Sequence, residues 1–209
     1  MKQYDYAKCA KYFRYLFLMI IPSIIVGLFT NEKVIEQYPS VEYVAIACNF
    51  ILSIVSAYFI LQLKTEDDRY RKAAILSIIY AVAVVILQFI DPLPQPVRAV
   101  AYTVTLIIGI IRILTLYPTH ADVMAQPAPE LAKKWETIKI LNLIFVVATY
   151  AATVLMFFAP IVAMVPLFAA AVLVIVAGIM ELIALNKSYK ACTAYAASGR
   201  SPEDAAQQN

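Results

Sequence analysis

Two residues of this sequence place a full charge inside a long apolar stretch, where charged side chains are rare. Arg112 lies within the run from Val97 to Tyr117, and Glu181 lies within the run from Pro166 to Asn186. Both follow a glycine by three residues, and both lie about five residues, roughly 7.5 Å along a helix, from the end of their run. A charge at such a depth marks a functional site by default, because an apolar medium solvates it poorly. Three interpretations are open: a structural ion pair or snorkelling to the headgroups, part of a transport or gating site, and contact with a partner protein.

Polar residues also form a line along the run that contains Arg112. The line consists of Arg98, Tyr102, Thr105, Gly109 and Arg112, with spacings of four, three, four and three residues. These spacings put all five residues on one face of a helix, since an α-helix repeats about every 3.6 residues. A helix surrounded by lipid would not hold its polar groups in one row, so this face is predicted to meet protein or water.

Similar polar lines recur on the runs 41–63, 73–90 and 137–158, and together they predict a partly polar interior. One interpretation is a pore or substrate site. The other is that these groups only form hydrogen bonds between helices, which contribute about 0.6 kcal/mol each. The residues predicted to line the site are Asn49, Gln88, Tyr102, Thr105, Arg112, Asn142, Thr149 and Glu181.

The elements that position these residues are predicted to be transmembrane helices. The 209 residues are 63% hydrophobic and 15% charged, with a mean hydropathy of +0.77. Soluble globular domains, by comparison, contain about 25% charged residues. Six runs are long enough to cross a bilayer core of roughly 30 Å, namely 12–29, 41–63, 73–90, 97–117, 137–158 and 166–186. We therefore predict an all-α integral membrane protein, with one domain (1–209) of six transmembrane helices in three hairpins and a disordered tail at 198–209.

The positions of the basic residues predict the orientation in the membrane. Of the 17 Lys and Arg residues, Lys33 and Arg98 flank the runs on one side, Arg112 lies inside a run, and the other fourteen fall on the opposite side. Cytoplasmic loops are enriched in Lys and Arg. Both termini are therefore predicted to be cytoplasmic in a multi-pass protein of the cell membrane. The outer rim is predicted to hold Glu42, Asp91 and Arg98.

A polar, proline-containing loop is predicted between the runs 97–117 and 137–158. His120 in this loop is expected to be an ordinary exposed residue, and Trp135 near its end is expected to anchor the chain at the membrane interface. An aromatic belt at the cytoplasmic interface is expected to include Tyr12, Tyr15, Tyr70, Tyr117, Tyr189 and Tyr195.

Motifs that would indicate catalysis are absent from the sequence. It contains no HExxH or GxSxG motif, and its four glycines are too scattered to form a phosphate-binding loop. Its three cysteines lack a CxxC spacing, and a single histidine excludes a metal site built from several histidines. We therefore predict that the protein is not an enzyme and has no catalytic residues, no metal, no cofactor and no nucleic-acid partner.

Two functions fit this pattern. The leading hypothesis is a small transporter, channel or substrate-binding membrane component, with an interior lined by the second to fifth helices and closed on the cytoplasmic side by Arg112 and Glu181. The alternative is a non-catalytic membrane subunit that anchors, assembles or regulates a partner protein, because no sharp site motif is present. The predicted partners are the lipid bilayer and either another membrane protein or a second copy of the chain.

Overall fold

Six long α-helices make up the protein in the computed structural model, which describes residues 4–29, 35, 37–38, 40–90 and 94–198. The helices are α1 (Tyr6–Phe29), α2 (Ser40–Gln62), α3 (Asp68–Leu87), α4 (Gln95–Met124), α5 (Pro129–Phe158) and α6 (Pro160–Ala197). Each contains a stretch long and apolar enough to cross a membrane, and the described residues contain no strand. The prediction of an all-α protein with six candidate membrane-spanning helices is therefore confirmed. Lys33, Asp91 and residues 199–209 of the predicted tail lie outside the described residues.

The helices form a ring in chain order. Each helix packs against the helix before it and the helix after it, and α6 packs against α1 to complete the ring. Helices on opposite sides of the ring have little or no contact. This arrangement leaves space along the axis of the ring, where polar side chains of several helices face one another.

The outer surface of the ring is covered by large apolar side chains. Ile161 is 87% exposed and Phe168 is 74% exposed, and all six helices have further exposed aliphatic residues. Lipid chains can cover such a surface without cost, because the backbone groups beneath it are already hydrogen-bonded within the helices. The surface is therefore of the kind that contacts a bilayer.

One end of the ring gathers many of the charged residues, and we name it the charged end. It is formed by the start of α1, the α2–α3 connection, the α4–α5 connection and the end of α6. The main-chain N–H of Asp5 donates to Oε2 of Glu66 at 2.7 Å, which joins α1 to the α2–α3 connection. Arg69 pairs with Asp67 at 2.9 Å and with Asp122 at 2.7 Å, which joins the start of α3 to α4.

The main apolar core lies at the same end, and all six helices contribute to it. Burial of a large apolar side chain stabilises a fold by about 1.5–3 kcal/mol. The core therefore fixes the relative positions of the helices where they approach the charged end. Its largest fully buried side chains are Phe13, Leu63, Tyr70, Val123, Met124, Trp135 and Ile138.

Helix α4 continues past Tyr117 to Met124, so the prediction of a long loop after Tyr117 is wrong. Pro118 lies inside the helix, although a proline removes one main-chain hydrogen bond and normally disfavours a helix interior. The turn that follows Pro118 is buried, with Val123 and Met124 fully buried in the core. This burial offsets the lost hydrogen bond, and residues 125–128 suffice to connect α4 to α5.

The aromatic residues near this connection are core residues rather than interface residues. His120 is 2% exposed, and its Nδ1 is hydrogen-bonded to the hydroxyl of Tyr70 at 2.9 Å. Trp135 is fully buried, and its Nε1 donates to Oγ of Ser188 at 3.1 Å. Tyr70 and Tyr117, which were predicted for the aromatic belt, are also buried. The predictions of an exposed His120 and of an interface anchor at Trp135 are therefore wrong, because tertiary packing places both rings inside the bundle.

Replacement of Tyr70 by Phe tests the importance of the buried hydrogen bond to His120. The change leaves a buried ring nitrogen without its partner, so the free energy of unfolding should fall by about 1–3 kcal/mol. Tyr58→Phe is a matched control, because Tyr58 is 54% exposed and its change should have little effect. Thermal unfolding of the purified variants in detergent measures both effects. Equal melting temperatures for the two variants would show that the bond contributes nothing.

Candidate functional site

A cavity of about 300 Å³ lies inside the ring, and we name it the central cavity. Residues of α1, α2, α3, α4 and α6 line it, so α1 takes part although it was not predicted to, whereas the predicted α5 does not. Three of the predicted site residues, Asn49, Arg112 and Glu181, are brought together here. The polar lining residues are Ser23, Asn49, Ser53, Ser56, Ser77, Tyr80, Arg112, His120 and Glu181.

The guanidinium of Arg112 faces the central cavity without an acceptor. Its Cζ lies 5.1 Å from the centre of the Tyr80 ring, a distance at which a cation is attracted to an aromatic face. Its Nε is buried and has no hydrogen-bond partner among the described residues. A buried donor without an acceptor is unfavourable and is rare in folded proteins. Arg112 is therefore positioned by an aromatic ring but is not neutralised by it.

The carboxylate of Glu181 faces the same cavity from α6. The hydroxyl of Tyr117 donates a hydrogen bond of 3.0 Å to its Oε2. No ion pair joins Glu181 to Arg112, so the structural ion pair, one of the interpretations left open by the sequence, is not formed. The cavity therefore contains a positive and a negative group that are held apart by separate partners.

The partner of Glu181 is itself fixed by buried aromatic packing. The ring of Tyr117 is stacked on Trp135, with 6.0 Å between ring centres and 25° between ring planes. Trp135 is held in turn by its hydrogen bond to Ser188. Restricted rotation of Tyr117 keeps its hydroxyl pointed at Glu181. A series of side-chain contacts, from Glu181 to Tyr117, Trp135 and Ser188, thus connects the cavity to the core at the charged end.

Gly109 makes room for Tyr80, the aromatic residue that contacts Arg112. A Cβ atom on Gly109 would lie 3.1 Å from Cε2 of Tyr80, which is closer than side chains normally approach. The absence of a side chain at Gly109 therefore lets the Tyr80 ring lie against α4, one turn before Arg112. At Gly178, which precedes Glu181 by the same three residues, an added Cβ would meet no atom of another described element within 4 Å.

Two smaller cavities hold most of the other predicted site residues. One of about 160 Å³ between α3, α4 and α5 is lined by Tyr102, Thr105 and Thr149. The other, of about 140 Å³, lies between α2 and α3 and is lined by Gln88. The side chain of Tyr80 lines both of these cavities and the central cavity. Tyr80 therefore borders all three cavities, and Asn49 borders both the central cavity and the cavity between α2 and α3.

The two predicted site residues on α5, Asn142 and Thr149, form hydrogen bonds within their own helix. Nδ2 of Asn142 donates to the carbonyl of Ile138 at 3.0 Å, and the hydroxyl of Thr149 donates to the carbonyl of Phe145 at 2.9 Å. Such bonds to the preceding turn are a common way for short polar side chains to lie in an apolar helix. Asn142 lines none of these three cavities. The polar line on α5 therefore neither links helices nor faces the central cavity.

Three aromatic residues of this site are absent from the predicted set: Tyr80 and His120, which line the central cavity, and Tyr117, which donates to Glu181. The signal for His120 was present, because it lies eight residues after Arg112 and thus continues the same helical face. It was missed because Pro118 suggested that the helix had ended. Tyr80 and Tyr117 were missed because tyrosines in membrane proteins are common at interfaces and give no specific signal.

Substitution of Gly109 by Ala tests the contact that positions Tyr80 and Arg112. The added methyl group should displace the Tyr80 ring, and such overpacking costs about 1–3 kcal/mol of unfolding free energy. Gly178→Ala is the matched control, since the added methyl there meets open space and alanine favours a helix by about 0.5–1 kcal/mol. Melting temperatures of both variants in detergent give the comparison. A Gly109→Ala variant as stable as Gly178→Ala would refute the close contact.

Comparison with known proteins gives no match to a family model, to a curated protein sequence or to a solved structure. The function of the central cavity is therefore argued from its own geometry.

Proposed function

We propose that the protein binds a small solute in the central cavity, either as a transporter or channel or as the substrate-binding component of a transport system. The observation that supports this proposal most directly is the state of Arg112, which lines the central cavity and forms no hydrogen bond or ion pair with any of the described residues. Binding sites for small molecules are typically concave, largely preformed and lined by a few converging polar groups. The central cavity has these properties.

A bound solute would stabilise this arrangement. Hydrogen bonds to charged groups contribute about 1.5–3 kcal/mol each, and a buried donor without an acceptor costs a similar amount. A solute in the cavity that accepts a hydrogen bond from a terminal nitrogen of Arg112 gains such a contribution, which favours its binding.

The exposure of the cavity lining supports access from the end opposite the charged end. Ser23, Asn49 and Ser53 are exposed, whereas His120 at the other side of the cavity is buried. A layer of aromatic rings lies below His120, with ring centres 5.1 Å away in Phe13 and 4.7 Å away in Trp135. The cavity is thus closed toward the charged end, as expected for one state of a protein that exposes its site to one side at a time.

The full topology forms part of this proposal. The charged end holds most Lys and Arg residues and belongs in the cytoplasm by the positive-inside rule. The six helices then form three hairpins in the cell membrane, with both termini cytoplasmic. On this topology the cavity opens to the outside of the cell.

Replacement of Arg112 by Gln tests the proposed function. Loss of one charge-assisted hydrogen bond should weaken binding at least tenfold, since each factor of ten corresponds to about 1.4 kcal/mol. Native mass spectrometry of the purified full chain should detect a bound small molecule in the wild type and in Arg71→Gln, which changes an exposed arginine at the charged end, but not in Arg112→Gln.

Two results would contradict this proposal. Equal solute occupancy in the Arg112→Gln and wild-type proteins would show that Arg112 does not hold the solute. A wild-type protein without solute that co-purifies in fixed ratio with a larger membrane protein would favour a non-catalytic partner subunit instead.

Labelling of introduced cysteines tests the topology. In a background without the native cysteines, Tyr38→Cys and Lys64→Cys place thiols at exposed positions before and after α2. An impermeant maleimide should label the Tyr38→Cys variant in intact cells, and it should label the Lys64→Cys variant only after lysis. The reverse pattern would invert the orientation.

A further inference from the structure

We propose that the ligand of the central cavity is a small zwitterion, with its anionic group at Arg112 and its cationic group at Glu181. This inference rests on the proposed function, because it specifies the chemical class of the solute that the cavity binds. It is carried by the two opposite charges that face one cavity without forming an ion pair.

Both charged groups have unused hydrogen-bonding capacity. The bond from Tyr117 occupies Oε2 of Glu181 and leaves Oε1 without a hydrogen bond among the described residues. Arg112 makes a cation–π contact with Tyr80, but it forms no hydrogen bond or ion pair with any of the described residues. A guanidinium donates to a carboxylate or similar anion, and a carboxylate accepts from an ammonium group. A single solute that bears both groups satisfies both residues.

Solutes with one charge or none fit less well. An anion at Arg112 would be repelled by Glu181 in the same cavity, and a cation at Glu181 would be repelled by Arg112. A neutral solute would leave both charges without a counter-ion in an interior of low polarity. A zwitterion whose charges are oriented along the line between the two residues is attracted at both ends.

The size and remaining lining of the cavity further limit the solute. Its volume of about 300 Å³ is at the lower end of the range for small-molecule sites, so the solute is of the size of an amino acid rather than of a nucleotide. One face of the Tyr80 ring is taken by Arg112. Asn49, Ser53 and Ser56 of α2 also line the cavity and offer hydroxyl and amide groups. A flexible, compact solute therefore suits the cavity better than a large flat ring.

A series of four-carbon probes tests this inference on the full chain in lipid nanodiscs. The probes are γ-aminobutyrate and α-aminobutyrate as zwitterions with wide and narrow charge separation, butyrate as the anion, butylammonium as the cation and butyramide as the neutral compound. Saturation-transfer NMR titrations give their relative affinities. At least one of the two zwitterions should bind at least tenfold more tightly than each of the other three probes.

Two charge-removing variants sharpen the test. Glu181→Gln should abolish the preference for a zwitterion over butyrate, and Arg112→Gln should abolish the preference over butylammonium. Arg71→Gln is the control and should retain the wild-type order. The order of the probes in the wild type decides the question even if a variant fails to fold.

The outcomes separate this inference from the proposed function. Tighter binding of butyrate, butylammonium or butyramide than of either zwitterion in the wild type overturns the zwitterion assignment and leaves a solute-binding cavity in place. The absence of binding by all five probes, together with the absence of any co-purified solute, overturns both. A co-purified solute that bears a single charged group, or no charged group, also overturns the zwitterion assignment, whereas a solute that bears both an anionic and a cationic group supports it.

Discussion

A guanidinium inside the bundle that finds no acceptor among the described residues imposes the strongest constraint on this structure. Arg112 must be fixed in place by contacts that do not neutralise it, and the Tyr80 ring makes such a contact at 5.1 Å. The absence of a side chain at residue 109 leaves room for that ring, since a Cβ atom there would lie 3.1 Å from it. The carboxylate on α6 supplies a negative potential to the same cavity, so the two charges stabilise each other at a distance rather than by direct pairing.

The rigidity that this arrangement needs comes from the charged end. Outside the core, the helices expose large apolar side chains on their outer face and border cavities on their inner face, so fewer of their side chains are buried. At the charged end, by contrast, Trp135 and Tyr70 are fully buried and their polar atoms are hydrogen-bonded. A close-packed interior has a single well-defined arrangement. This packed region fixes the positions of the cavity residues. Tyr117 holds Glu181, and α4 carries Arg112 from the packed region into the cavity.

The helices and the two intramembrane charges could be predicted from the sequence, because both depend on local composition. Long apolar runs indicate spanning helices, and Arg112 and Glu181 stand out within them. The extent of α4 could not be predicted, since Pro118 and polar residues after it resemble a loop until the burial of Val123 and Met124 is known. The role of Asn142 could not be predicted either. A helical period identifies a face but does not tell whether its side chains bond to their own helix or to a neighbour.

The contact between α6 and α1 has a consequence for biosynthesis. Because a chain is made from its N-terminus, α1 to α5 can form only an open arc until α6 has been made, and the contact between α6 and α1 then closes the ring. Until that moment the central cavity lacks its carboxylate, since Glu181 lies on α6. Synthesis of α6 therefore both closes the ring and brings a negative charge to the cavity that Arg112 lines.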